Sequence, residues 1–200
     1  MIRAVIFDYG GTMTARFESE YSLVSKFFSV SQEEAREKAQ GIIHAFQRGE
    51  VTEAGFLRSM ANVFGYERKI SSVASIFGGY SGYNEPDGEM LGIVKRLRER
   101  GYVTALLSNV VQPHVDFNRS RGNYDHFSPV ILSCEVGMRK PERGIYELAL
   151  SRLGRRPEEC VFIDDLPKYL AAAERLGIKP ILFESPAQVR QELLALGLAI

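Results

Sequence analysis

The chain has 200 residues, 45% hydrophobic and 25% charged, with 25 basic residues set against 25 acidic ones. That length holds one large domain, or an ordinary core with a smaller insertion, and the composition is that of a globular protein. A formal net charge of zero leaves no broad electrostatic footprint for nucleic acid or an anionic membrane, so neither is an expected partner.

The first element is the apolar run Ala4–Phe7, which reads as a strand covered on both faces. It closes at Asp8 and opens the tight stretch Asp8-Tyr9-Gly10-Gly11-Thr12. From about residue 15 to 85 the pattern is helical: Tyr21–Val30, Gln32–Arg48, Glu53–Val63 and Ser71–Phe77, with no convincing strand among them. Ser31 with Glu34 makes a capping box, and Thr52 before Glu53 is a second N-cap signal. A helical segment inserted after the first strand suggests a cap over the sheet edge; the plainer alternative is a helical layer packed on the core.

Alternation of strand and helix begins near Pro86. Helices are expected over Glu89–Arg100, Gly144–Leu153, Tyr169–Leu176 and Gln188–Leu196, each stopped by the next glycine (Gly101, Gly154, Gly177, Gly197). Strands are expected over Val103–Leu107, Val130–Leu132, Val161–Ile163 and Pro180–Phe183. Such a series predicts right-handed crossovers and a parallel, doubly wound α/β sheet. The expected division is a core of residues 1–14 and 86–200 with a helical cap over 15–85.

Cys134 and Cys160 lack metal-ligand spacing and read as reduced thiols. The N-terminus has no signal-like apolar core, and no run nears the roughly 18 apolar residues that span a bilayer. A cytoplasmic protein is expected, as a monomer or homodimer.

In open α/β sheets ligands bind beyond the carboxyl ends of the strands. There Phe7 leads to Asp8, Leu107 to Ser108-Asn109, and Ile163 to Asp164-Asp165, while Gly137-Met138-Arg139-Lys140-Pro141 follows the third strand and opens a helix. Singly these are ordinary turn and cap material: an Asx-turn, a Ser-Asn turn, a solvated Lys-Pro helix start. Together they place three carboxylates, a lysine and a hydroxyl in one crevice. Carboxylates so crowded repel one another unless a cation intervenes, and a hard divalent ion such as Mg²⁺ suits oxygen ligands. A lysine, a hydroxyl and backbone N–H groups on a glycine turn suit a tetrahedral oxyanion such as phosphate.

These segments resemble the motifs of the haloacid dehalogenase-like (HAD) hydrolases, in the subgroup with a helical cap after the first strand. They are Ile6–Thr12, Leu106–Asn109, Val136–Pro141 with Ile145-Tyr146, and Val161–Asp165 with Ala171-Ala172 and Gly177-Ile178. Gly49–Thr52 before Phe56 resembles the cap segment of that subgroup. The resemblance implies a Rossmann-like three-layer core and a Mg²⁺-dependent phosphatase acting on a small phosphorylated substrate. It makes Asp8 the nucleophile that forms an aspartyl-phosphate. Asp8, Asp165 and the carbonyl of Gly10 would bind the metal, with Asp164 acting directly or through a water. Ser108, the Asn109 backbone and the Gly11-Thr12 turn would hold phosphoryl oxygens, and Lys140 would neutralise charge.

One position departs from the family pattern. Gly10 stands where the phosphatases carry a second Asp that protonates the leaving oxygen, a contribution of about 10²–10⁴-fold. That points to substrates with good leaving groups, or to an acid lent by the cap, such as His44 or Glu50. Dehalogenation, phosphonate cleavage through a cap lysine (Lys26 or Lys38), and non-catalytic binding of a phospho-ligand are the alternatives.

Overall fold

The computed structural model describes residues 1–14, 18–66, 76–77 and 85–200. Five parallel strands form one sheet in the order β3-β2-β1-β4-β5. They are β1 (Ala4–Phe7), β2 (Val103–Ser108), β3 (Val130–Leu132), β4 (Cys160–Asp164) and β5 (Lys179–Leu182). The fold is thus the α/β, Rossmann-like three-layer arrangement expected. All five runs fall within a residue or two of their expected bounds, because strands covered on both faces are near-continuous apolar runs.

Side chains alternate between the two faces. Val5, Phe7, Leu106, Val161 and Ile163 pack on one side with Met90, Ile93 and Leu97 of α4 (Gly88–Glu99). Val189 and Leu193 of α9 (Pro186–Ala195) join that layer. Ala4, Ile6, Ala105, Leu107 and Phe162 pack on the other, against α7 (Arg143–Leu153) and α8 (Pro167–Glu174). Three elements were not anticipated: α5 (Gln112–Ser120), the single turn α6 (Ser133–Val136) and a 3-10 turn at Pro157–Glu159.

The chain leaves the sheet at Thr14 and returns at Pro86, the two joined by an isolated antiparallel bridge. Between them lie α1 (Glu20–Phe28), α2 (Gln32–Gln47) and α3 (Glu53–Phe64), each N-capped by a hydroxyl: Ser19, Ser31 and Thr52. Their apolar faces converge on one cluster built around Val24, Phe28, Ile43, Phe46, Phe56 and Met60. The helix expected over Ser71–Phe77 lies outside the described residues, apart from Ile76 and Phe77.

The C-terminal end of α2 rests on the core. A Cβ at Gly49, which has φ +71°, would collide with the Cys134 carbonyl oxygen, so only glycine allows this approach. Arg48 also pairs with Glu142, just before α7, at 3.2 Å. Both cysteines are free thiols. Among the described residues no helix is long and apolar enough to cross a membrane.

Candidate active site

The parallel register brings the polar strand ends to one level. Phe7 lies opposite Leu106 on one side and Ile163 on the other, so Asp8, Leu107 and Asp164 are neighbours. The strand order reverses direction at β1, and the crevice between β1 and β4 is the switch point where such sheets bind ligands.

Asp8, Asp164 and Asp165 each offer a carboxylate oxygen within 4.8 Å of the others. Lys140 enters from the loop before α7 and is only 1% exposed. Its Nζ donates to Asp8 Oδ1 at 2.7 Å and to Asp164 Oδ2 at 2.6 Å. The ammonium also lies over the rings of Phe162 and Tyr169, at 5.3 and 5.0 Å. Solvated helix starts are the ordinary place for Lys-Pro, and that reading does not hold here: α7 begins only at Arg143, and Lys140 is buried among acids.

Burial pushes the Asp8 carboxyl up to about 7; Lys140 opposes this, and Asp164 adds to it. The Asp165 carboxyl is raised too, by burial and then by Asp164. Burial alone would lower the Lys140 ammonium, but Asp164 and Asp8 outweigh it and hold the proton on nitrogen. Two of the three carboxyl groups bond the one ammonium and Asp165 does not, leaving negative charge that a hard cation would neutralise.

The three acids are not equivalent. Asp164 is fully engaged, with Oδ1 accepting the Leu166 N–H at 2.8 Å and Oδ2 accepting Lys140. Asp8 has one oxygen on Lys140 and the other open, and the Asp165 carboxylate carries no hydrogen bond among the described side chains. Asp165 lies against Gly11. A Cβ on Gly11 would sit 2.7 Å from Asp165 Oδ2, and its φ of +83° disfavours any side chain. Gly11→Ala should therefore cost about 1–3 kcal/mol of stability. It should also raise the Mg²⁺ concentration needed for half-maximal thermal stabilisation; unchanged metal response in a melting assay would contradict the contact.

Asn109 has a role the sequence did not reveal. Its side chain accepts the Lys140 backbone N–H at 2.7 Å and donates to the Lys140 carbonyl at 2.9 Å and to Tyr169 Oη at 3.2 Å. That reciprocal pair holds the Lys140 backbone across the crevice. Ser108, at 4% exposure, ends β2 with a hydroxyl that bonds to no described residue. Thr12 is fully buried and its Oγ1 has no hydrogen-bond partner among the described residues.

A cavity of about 680 Å³ opens above these groups, lined by Asp8, Gly10, Asn109, Lys140 and Asp165 below and by residues of α1 and α2 above. Ser108, Gly11 and Thr12, expected to hold phosphoryl oxygens, do not line it. His44 does, but burial and the nearby Arg139, Arg48 and Lys168 push it down to about 4. It is neutral at pH 7 and ill suited to give up a proton. Glu50 is exposed, pairs with Arg48 and faces a different cavity. Lys26 and Lys38 pair with Glu18 and Glu34, and neither lines the cavity.

Sequence reasoning missed Glu20, Gln47, Arg139 and Tyr169, all buried and all lining the cavity. One signal was available: Gln47 falls on the stripe Ala35, Ala39, Ile43, Phe46 of α2, where an amide needs a partner.

A parallel α/β sheet with a lysine-bridged acidic centre at its switch point defines an enzyme core rather than a structural module. The chain belongs to the haloacid dehalogenase-like hydrolase family, whose model matches residues 2–180. It is 29% identical to mouse acyl-CoA dehydrogenase family member 10 over 97% of this chain, but spans only 19% of that protein. It is 25% identical to a sesquiterpene phosphatase of Aspergillus oryzae, covering 88% of this chain and 87% of the relative. A HAD-family enzyme of Bacteroides thetaiotaomicron, solved with magnesium and inorganic phosphate, superposes with a TM-score of 0.74. It is 25% identical, over 92% of this chain and 95% of the other.

Proposed function

We propose that this chain is a Mg²⁺-dependent phosphatase that acts on a small phosphorylated metabolite through an aspartyl-phosphate on Asp8. The observation that carries the reading is the Lys140 bridge between Asp8 and Asp164 with Asp165 beside it. The magnesium and phosphate in the Bacteroides enzyme and the phosphatase activity named for the Aspergillus relative support it.

Asp8, Asp165 and the backbone carbonyl of Gly10 would hold Mg²⁺, with Asp164 acting through a water because both its oxygens are engaged. The ion supplies charge neutralisation and alignment of the phosphoryl oxygens. Lys140 keeps Asp8 oriented and offsets the charge of the incoming phosphate. The open oxygen of Asp8 would attack phosphorus as the bond to the leaving oxygen breaks. That group departs as an anion and takes its proton from solvent. Water then cleaves the acyl phosphate, releasing inorganic phosphate and regenerating Asp8. The Asn109 N–H, on the cavity wall, would bind a phosphoryl oxygen. Helices α1–α3 act as the cap, with residues 1–14 and 86–200 as the catalytic core; their separate apolar cluster and the Thr14–Pro86 bridge support that division.

With Gly10 unable to donate a proton, acyl phosphates and esters with good leaving groups should show the highest kcat, whichever substrate the cavity binds best. Release of phosphate from acetyl phosphate should require Mg²⁺ and stop in excess chelator; full turnover without a divalent ion would favour dehalogenase-type chemistry. Gly10→Asp should speed hydrolysis of simple alkyl phosphates at least about tenfold, with little change for acetyl phosphate. No gain on the alkyl ester would mean that another group already supplies the proton.

A further inference from the structure

The cavity above Asp8 holds a second polar centre that the phosphate chemistry leaves unused. Glu20 at the start of α1 and Arg139 beside Lys140 both line it, at 6% and 7% exposure. Gln47, at the end of α2, lies beside both: its Oε1 accepts the Arg139 Nε–H at 3.0 Å, and it neighbours the Glu20 carboxyl. No direct ion pair joins the two charges among the described residues. Among the described residues the Arg139 guanidinium donates only from Nε, so both terminal amino groups of the fork stay available. Buried charged groups are ordinarily paired, and a carboxyl and a guanidinium that share one cavity without an ion pair between them are placed to meet a ligand.

We propose that Glu20 and Arg139 form the leaving-group subsite and select a phosphorylated polyol or sugar, whose hydroxyls accept from Arg139 and donate to Glu20. The proposal rests on the phosphatase reading, since Lys140 and Arg139 are consecutive and the phosphate end of the substrate sets where its hydroxyls fall. A hydroxyl is both donor and acceptor, so vicinal hydroxyls satisfy a carboxylate and a guanidinium spaced by one amide. A hydroxyl brings no charge of its own to Glu20 and Arg139. A neutral hydroxyl therefore enters at modest desolvation cost, whereas an amino-acid zwitterion must strip water from two more ions. An isoprenoid chain fits poorly. Leu166 is the one aliphatic side chain on the cavity wall among the described residues, and Glu33, Arg36, Glu37, Gln40 and Lys168 also line it.

The test compares a pentitol phosphate and hexose phosphates with p-nitrophenyl phosphate, phosphoserine and an isoprenyl monophosphate, all in saturating Mg²⁺. Glu20→Gln and Arg139→Gln should each lower the kcat/KM ratio of polyol phosphate to p-nitrophenyl phosphate by about ten- to a hundredfold, carried mainly by KM. Equal losses on both substrates would make the pair a structural clasp and overturn the proposal. Wild-type preference for phosphoserine or the isoprenyl ester would overturn it as well. Calorimetry on Asp8→Asn protein reads the subsite without turnover: the pentitol phosphate should bind at least about tenfold tighter than inorganic phosphate, and this gain should vanish in the Arg139→Gln background. Binding with that pattern but no hydrolysis by wild type would sink the phosphatase reading alone; no gain over phosphate would sink the subsite.

Discussion

Asp8→Asn is expected to lower hydrolysis of acetyl phosphate or p-nitrophenyl phosphate by at least about 10³-fold, with the fold retained. The amide is isosteric and keeps an oxygen for Lys140 Nζ, which stays anchored on Asp164 at 2.6 Å. What it loses is the anionic oxygen that would bond to phosphorus. The variant also removes a carboxyl whose ionisation burial opposes, since Asp8 is pushed up to about 7. A melting temperature equal to or above that of the parent is therefore expected alongside the lost turnover. Activity within tenfold of wild type, measured as phosphate release, would assign the attack to another group.

Lys140→Met should be damaging in both respects. The ammonium is 1% exposed and bridges two buried carboxylates, Asp8 at 9% and Asp164 at 0%. Removing one partner from such a cluster leaves uncompensated buried charge and costs about 3–5 kcal/mol. Methionine keeps the stem volume over Phe162 and Tyr169, so the loss reads charge rather than packing. Turnover should drop by at least about 10²-fold, because Lys140 is the one cation bonded to Asp8 among the described residues. Differential scanning calorimetry with and without Mg²⁺ checks the account: the divalent ion should restore more stability to this variant than to wild type. A variant as stable as the parent without metal would show that the bridge contributes nothing to the fold.

Much of the scaffold was legible because its signals are local. Ala4–Phe7 and Val161–Ile163 are apolar without alternation, as strands between two helical layers must be. Gly101, Gly154, Gly177 and Gly197 all adopt positive φ where a helix was expected to stop. The missed helix α5 buries only His114, Val115 and Asn118, so no apolar stripe marks it. Pro113 in its first turn was the remaining cue.

Asp8, Asp164 and Asp165 were readable from the chain because an acid straight after a buried strand has one place to go in a parallel sheet. The sequence alone therefore determined the layer order, the sheet edge that carries the chemistry, the three acids and the vacancy at Gly10. It did not reveal that Asn109 would fasten the Lys140 backbone, that Lys140 would lie dry between two acids and two rings, or that Gln47 would meet Arg139. Those contacts join residues 31, 132 and 92 positions apart. Which polar side chain is buried, and against what, depends on how the inserted helices settle on the sheet end; no periodicity encodes that partner. Tertiary packing alone decided that His44 is a neutral wall residue, that Glu50 faces a different cavity, and that Glu20 and Arg139 share the cavity above Asp8.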